Sequence, residues 1–204
     1  MVQPSIGRAP HGHSPSRWVA VLLALITSAV LVGCGSSDGA GPAPAASTPA
    51  QTGLAASVPT WVELPSISAK SSLVQLGLNA DKTVEVPPVT EPLQAGWYKY
   101  SPTPGQVGPA VILGHIDGNH QKGIFWRLHE VKVGDKVLVG RQDSSTVTFT
   151  VNKVDQVAKS SFPTEAVYGN TSDAEVRLIT CGGAYDASTR NYLDNIIVYA
   201  SLTT

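Results

Sequence analysis

Charge is scarce in this chain. Only 14% of its 204 residues are Asp, Glu, Lys or Arg, and 14 basic against 15 acidic residues leave a formal net charge of −1. No basic block occurs, which excludes a nucleic-acid partner, because such a surface displaces counterions with clustered Lys and Arg. Cysteine is scarcer still: Cys34 and Cys181 are the only two, too few for a disulfide framework or a Cys-rich zinc site. No internal repeat and no long helical periodicity is present. Nineteen Gly and fifteen Pro are more than a helical bundle tolerates. The length fits one domain plus accessory segments.

The accessory segments come first. Residues 1–17 carry Arg8 and Arg17 and no acid, and the apolar run Trp18–Val32 follows. Its fifteen residues fall short of the roughly 20 that cross a bilayer. A positive start and a short apolar core describe an export signal. The run ends in Leu31-Val32-Gly33-Cys34, which resembles the bacterial lipobox, and that resemblance implies lipid attachment at Cys34 with cleavage just before it. A plain membrane-spanning anchor with an incidental Cys34 is the competing reading. Cleavage would leave 171 residues and a net charge of −3, since two Arg and no acid are lost. In residues 34–60, the stretch after Cys34 is Gly, Ala, Ser, Thr or Pro at 22 of 26 positions, the composition of a flexible tether rather than of a core.

Residues 61–204 are expected to form the folded domain. Short alternating or β-branched runs recur between turn signals, at Ser66–Leu76, Thr83–Val86, Ala110–His115, Lys136–Gly140, Thr146–Val157, Glu175–Cys181 and Asn195–Ser201. Val111–Leu113 and Ile196–Val198 are continuous apolar runs, as in strands buried on both faces. Only Gly123–Val131 has a helical look. The pattern predicts an all-β barrel or sandwich.

Two strand ends carry reactive side chains. Cys181 closes the run Glu175-Val-Arg-Leu-Ile-Thr-Cys and is followed by Gly182 and Gly183, so a thiol stands where a peptide backbone can approach. A buried, inert cysteine is the alternative. His115 ends the run Ala110–Gly114 and is the expected proton partner. His11 and His13 lie in the export segment, and His129 reads as a surface or packing residue. His115, Asp117 and His120 lack a fourth ligand at a sensible spacing, so no metal is expected. An oxyanion needs a cation, and Arg190 is the only Lys or Arg after Cys181. Arg177 competes from the same strand face, but four residues of strand place it about 13 Å from Cys181.

These residues resemble the sortases, and most closely the class F sortases of actinobacteria, over about Leu64 to Leu202. The resemblance rests on Leu76-Gly-Leu-Asn-Ala-Asp81, Gly108-Pro-Ala-Val-Ile-Leu-Gly-His-Ile-Asp117, Gly123-Ile-Phe-Trp-Arg-Leu128, Arg177-Leu-Ile-Thr-Cys-Gly-Gly183 and Tyr192-Leu-Asp-Asn195. It implies an eight-stranded β-barrel with short helices, with His115, Cys181 and Arg190 as the active site and no cofactor. Arg190 stands nine residues past the cysteine, nearer than the family's usual ten to thirteen. The implied partners are a Leu-Pro-X-Thr-Gly sorting signal of exported proteins and an amine acceptor on a cell-wall precursor or pilin. The implied place is the outer face of the bacterial membrane, held by a lipid or an N-terminal anchor. The alternatives are another exported Cys–His peptidoglycan enzyme, or a non-catalytic binding module on the same barrel.

Overall fold

The computed structural model describes residues 53–203. The export segment, the apolar run, Cys34 and the first part of the tether lie outside the described residues. Ten strands occur: β1 Pro59–Leu64, β2 Ala69–Leu76, β3 Ala95–Tyr98, β4 Gly108–Gly114, β5 Asp117–Gly118, β6 Gln121–Lys122, β7 Lys136–Arg141, β8 Thr146–Ala158, β9 Ala174–Asp186 and β10 Asn191–Leu202. Eight close a barrel in the order β1-β2-β3-β4-β9-β10-β8-β7, while β5 and β6 form a separate small hairpin. One short helix, α1 (Thr164–Tyr168), and three short 3-10 turns complete the all-β fold, as the resemblance implied.

Alternation along the strands builds two apolar layers. Ala110 and Ile112 of β4, Val176 and Leu178 of β9, and Ile196 and Val198 of β10 point into the barrel with Phe125 and Phe149. Val111, Leu113, Ile179, Ile197 and Tyr199 point outward and are covered by a second layer that includes Val167 of α1. Both faces of β4, β9 and β10 are therefore buried, which is why their sequences read as continuous apolar runs.

Three differences from the pattern have local causes. Thr83–Val86 makes only a single bridge, Leu78 to Val84, and no strand. The helical look of Gly123–Val131 becomes turns and one 3-10 turn, Leu128–Glu130. The folded domain also begins earlier than residue 61. Pro59 and Thr60 belong to β1. Before them, Leu54 N–H bonds the Gly105 carbonyl at 2.8 Å and Ser57 N–H bonds Thr103 Oγ1 at 3.1 Å. The buried Arg141 guanidinium donates to the Ala55 carbonyl. Residues 53–58, mostly small and apolar, thus form a strap laid on the barrel, with Val58 packed against its core.

Candidate active site

The parallel pair β4–β9 positions the two reactive side chains. Its register runs without a break from Gly108 opposite Ala174 to Leu113 opposite Ile179. Continued two residues, that register sets His115 level with Cys181 on strands about 4.7–4.9 Å apart. Parity adds a common direction. Val111 and Leu113 point to the outer layer, as do Arg177 and Ile179 on β9, so the alternation sends both His115 and Cys181 to that face.

The backbone around His115 is fixed by its neighbours. Phe125 N–H bonds the His115 carbonyl at 3.0 Å, and Gly123 N–H bonds the Ile116 carbonyl at 2.8 Å. A Cβ at Gly123 would overlap the His115 carbonyl, so this close crossing requires glycine. The imidazole Nε2 lies 2.6 Å from the Pro87 carbonyl. A carbonyl only accepts, so Nε2 carries a proton, and Nδ1 is the nitrogen left to gain or lose one.

Cys181 is a free thiol, buried to 9% exposure. Beyond it, Gly183 has φ +73° and a Cβ there would collide with the Asp194 carboxylate; the second glycine is thus a requirement of the hairpin. Directly across on β10 stands Asn195. It is fully buried, and neither its side-chain nitrogen nor its oxygen has a hydrogen-bond partner among the described residues. Such groups are rare in folded proteins, and each calls for an explanation.

Arg190, the expected oxyanion cation, stands in a turn away from the strand end that bears Cys181. It occupies the turn of the β9–β10 hairpin, exposed and at φ +52°, beyond the pair Asp186–Asn191. Asp186 lies five residues past Cys181, about 16 Å along the strand, farther than an arginine side chain reaches back. Counting residues after the cysteine could not reveal this, because the chain between them runs out along one strand and turns. Arg177 does not replace it. Its guanidinium is buried, paired with Glu175, bonded to the Ala166 carbonyl at 3.3 Å and stacked on Tyr199 at 4.6 Å. His129 is exposed beside Glu130. His120 sits in the β5–β6 turn, where Asn119 and His120 both take positive φ as a two-residue hairpin demands.

A further pair was not legible in the sequence. The Tyr192 hydroxyl donates to Asp117 Oδ2 across 75 residues of chain, tying the β9–β10 hairpin to the loop that follows His115. Burial, the Asp117 hydrogen bond and charge, and the nearby Cys181 push the Tyr192 phenol up to about 12. Between these elements lies a cleft of about 500 Å³ whose walls include Asp117, His120, Lys122, Trp126, Tyr185 and Tyr192.

Comparison with known proteins bears on the fold and the family. The Sortase domain family matches residues 62–203. No curated protein sequence matches the chain. Among solved structures, it is similar to a Clostridium perfringens Sortase D5 transpeptidase, at 17% identity and TM-score 0.53 over 72% of this chain and 79% of that one. Sortase C-1 from Actinomyces oris aligns at 18% identity and TM-score 0.56, over 71% and 73% of the two chains. A lid mutant of Sortase A from Corynebacterium diphtheriae aligns at 20% identity and TM-score 0.53, over 71% and 69%. At these identities the structures speak for the fold, and the family match over most of the chain speaks for descent: the chain belongs to the sortases, a family of cysteine transpeptidases.

Proposed function

We propose that the protein is an extracytoplasmic transpeptidase of the class F type, which cleaves a Leu-Pro-X-Thr-Gly sorting signal between Thr and Gly. The observation that supports the reading is the β4–β9 register, unbroken to Leu113 opposite Ile179, two residues short of His115 and Cys181 respectively. The ordered motifs Gly114-His-Ile-Asp117 and Thr180-Cys-Gly-Gly183 support the class. In this scheme Cys181 Sγ, as thiolate, forms the bond to the threonyl carbonyl carbon. The tetrahedral oxyanion is held by backbone N–H groups at the end of β9 and by the Asn195 amide. As the C–N bond breaks, protonated His115 gives its proton to the departing glycine amine. The thioacyl-enzyme is then resolved by an amine on a cell-wall precursor or pilin, or by water. Lipid attachment at Cys34 and a place on the outer face of the membrane belong to the same proposal and rest on the sequence.

Incubation of the full chain with a Leu-Pro-X-Thr-Gly peptide should give a thioacyl adduct on Cys181, read by mass spectrometry. Cys181→Ala should give none, and an adduct persisting in that variant would overturn the assignment. One observation favours a second reading, a module that binds sorting signals without processing them: Arg190 stands in the exposed hairpin turn rather than at the thiol. A folded wild-type protein that binds the peptide and forms no adduct would establish that reading instead.

A further inference from the structure

The cleft between the β5–β6 hairpin and the β9–β10 hairpin presents two opposite charges that do not neutralise each other. Asp117 and Lys122 are direct cross-strand partners in the β5–β6 hairpin, so their side chains leave the same face. Cross-strand Asp and Lys ordinarily close on one another, yet no ion pair joins them among the described residues. Each is held by something else. Asp117 is engaged through Oδ2 by the Tyr192 hydroxyl, leaving Oδ1 free of any hydrogen bond from the described residues. Lys122 is drawn over the Trp126 ring, with Nζ 5.0 Å from its centre. Both line the cleft of about 500 Å³, whose remaining walls include the rings of Trp126, Tyr185 and Tyr192.

The cleft adjoins the reacting atoms. Asp117 is two residues past His115, and Tyr192 is three residues before Asn195, the cross-strand partner of Cys181. A Leu-Pro sorting peptide has no use for a split pair of charges walled by aromatic rings. A small group carrying both signs has. We propose that this cleft receives the acceptor, and that it selects an amine bearing a carboxylate on the same carbon, the zwitterionic end of an amino acid. The proposal rests on the transpeptidase reading above. Asp117 Oδ1 receives the ammonium, and Lys122 takes the carboxylate in a charge-assisted bond. The ammonium loses one proton to water on its way to the thioester. The neutral amine then forms the N–C bond as the C–S bond breaks. Sγ leaves as thiolate, and the surplus proton on nitrogen passes to His115.

The test uses glycine and glycinamide as paired acceptors, identical except that the second lacks the carboxylate. The full chain is first acylated with a Leu-Pro-X-Thr-Gly peptide, and the adduct is counted by mass spectrometry before amine is added. Transfer is then measured against acceptor concentration. In Lys122→Met, which keeps the stem over Trp126 but removes the charge, the ratio of KM for glycine to KM for glycinamide should rise about tenfold. Lys122→Arg should restore most of it. A ratio unmoved by Lys122→Met, with acylation normal, would overturn the acceptor cleft and leave the transpeptidase reading standing. Failure of the wild-type protein to acylate would overturn both.

Discussion

The two ends of β9 make opposite use of the same strand. Up to Ile179 it is clamped between β4 and β10, both faces are buried, and each residue's direction follows from alternation. Past Gly182 only β10 accompanies it; a bulge interrupts that pairing between Tyr192 and Asp194, and Tyr185 and Leu193 are exposed. The first region places Cys181 by strand register, and His115 just past the end of β4 is held by the Phe125 N–H and the Pro87 carbonyl. The second is held to the barrel from its tip side, by the Tyr192–Asp117 contact and the Gln156–Asp194 bond of 2.7 Å. A reactive group in the clamped region is therefore placed by the fold, and one in the hairpin by whichever side-chain ties survive.

The contrast can be broken experimentally, beginning where the effect should be greatest. His115→Gln, which keeps a polar group at the clamped end but cannot shuttle the proton, should lower the acylation rate by roughly 10²–10⁴-fold in single-turnover assays. Asn195→Leu should lower acylation by about a hundredfold. The same substitution should hold or raise the melting temperature, because a buried amide without partners costs about 1–3 kcal/mol that leucine does not. Effects of opposite sign on rate and stability would mark Asn195 as kept for the reaction.

Tyr192→Phe tests the tie of the hairpin. The folded state holds the Tyr192 phenol protonated up to about 12, above its ordinary value of 10. The unfolded chain releases that proton first, so the stabilisation is complete below pH 10 and is lost as pH rises from 10 toward 12. Urea unfolding should show a wild-type advantage over the variant that is constant below pH 10 and shrinks above it. The smallest effect is expected at Arg190→Ala, with acylation within about threefold of wild type, consistent with an exposed turn residue. A loss approaching that of Asn195→Leu would mean that the hairpin folds onto the thiol when substrate binds.

Legibility in the sequence follows the same division. The runs Val111–Leu113 and Ile196–Val198 announced strands buried on both sides, and the runs Ala110–His115 and Glu175–Cys181 announced the strand ends at His115 and Cys181. The short strands β1 and β3 were not visible, since Pro59 opens one and the other is only Ala95–Tyr98. Arg190 was picked out by its sequence distance from Cys181, which says nothing of direction once a hairpin intervenes. Asp117 was visible only as a member of a metal-like trio. Its actual neighbour, Tyr192, comes from another part of the chain, and the three supposed ligands face different partners: Pro87 for His115, Tyr192 for Asp117, and an exposed turn for His120. Asn195 read as one more polar residue near a strand start, and only the β9–β10 register reveals which side chain it faces.

The strap of residues 53–58 has a mechanical consequence. It is fastened near Thr103 and Gly105, just ahead of β4, whereas His115 lies past the far end of that strand, about 20 Å away. Any pull arriving from upstream is therefore borne at the base of the barrel, by Arg141 and the Gly105 carbonyl. Cys181 lies at the opposite end of the β4–β9 pair from that strap.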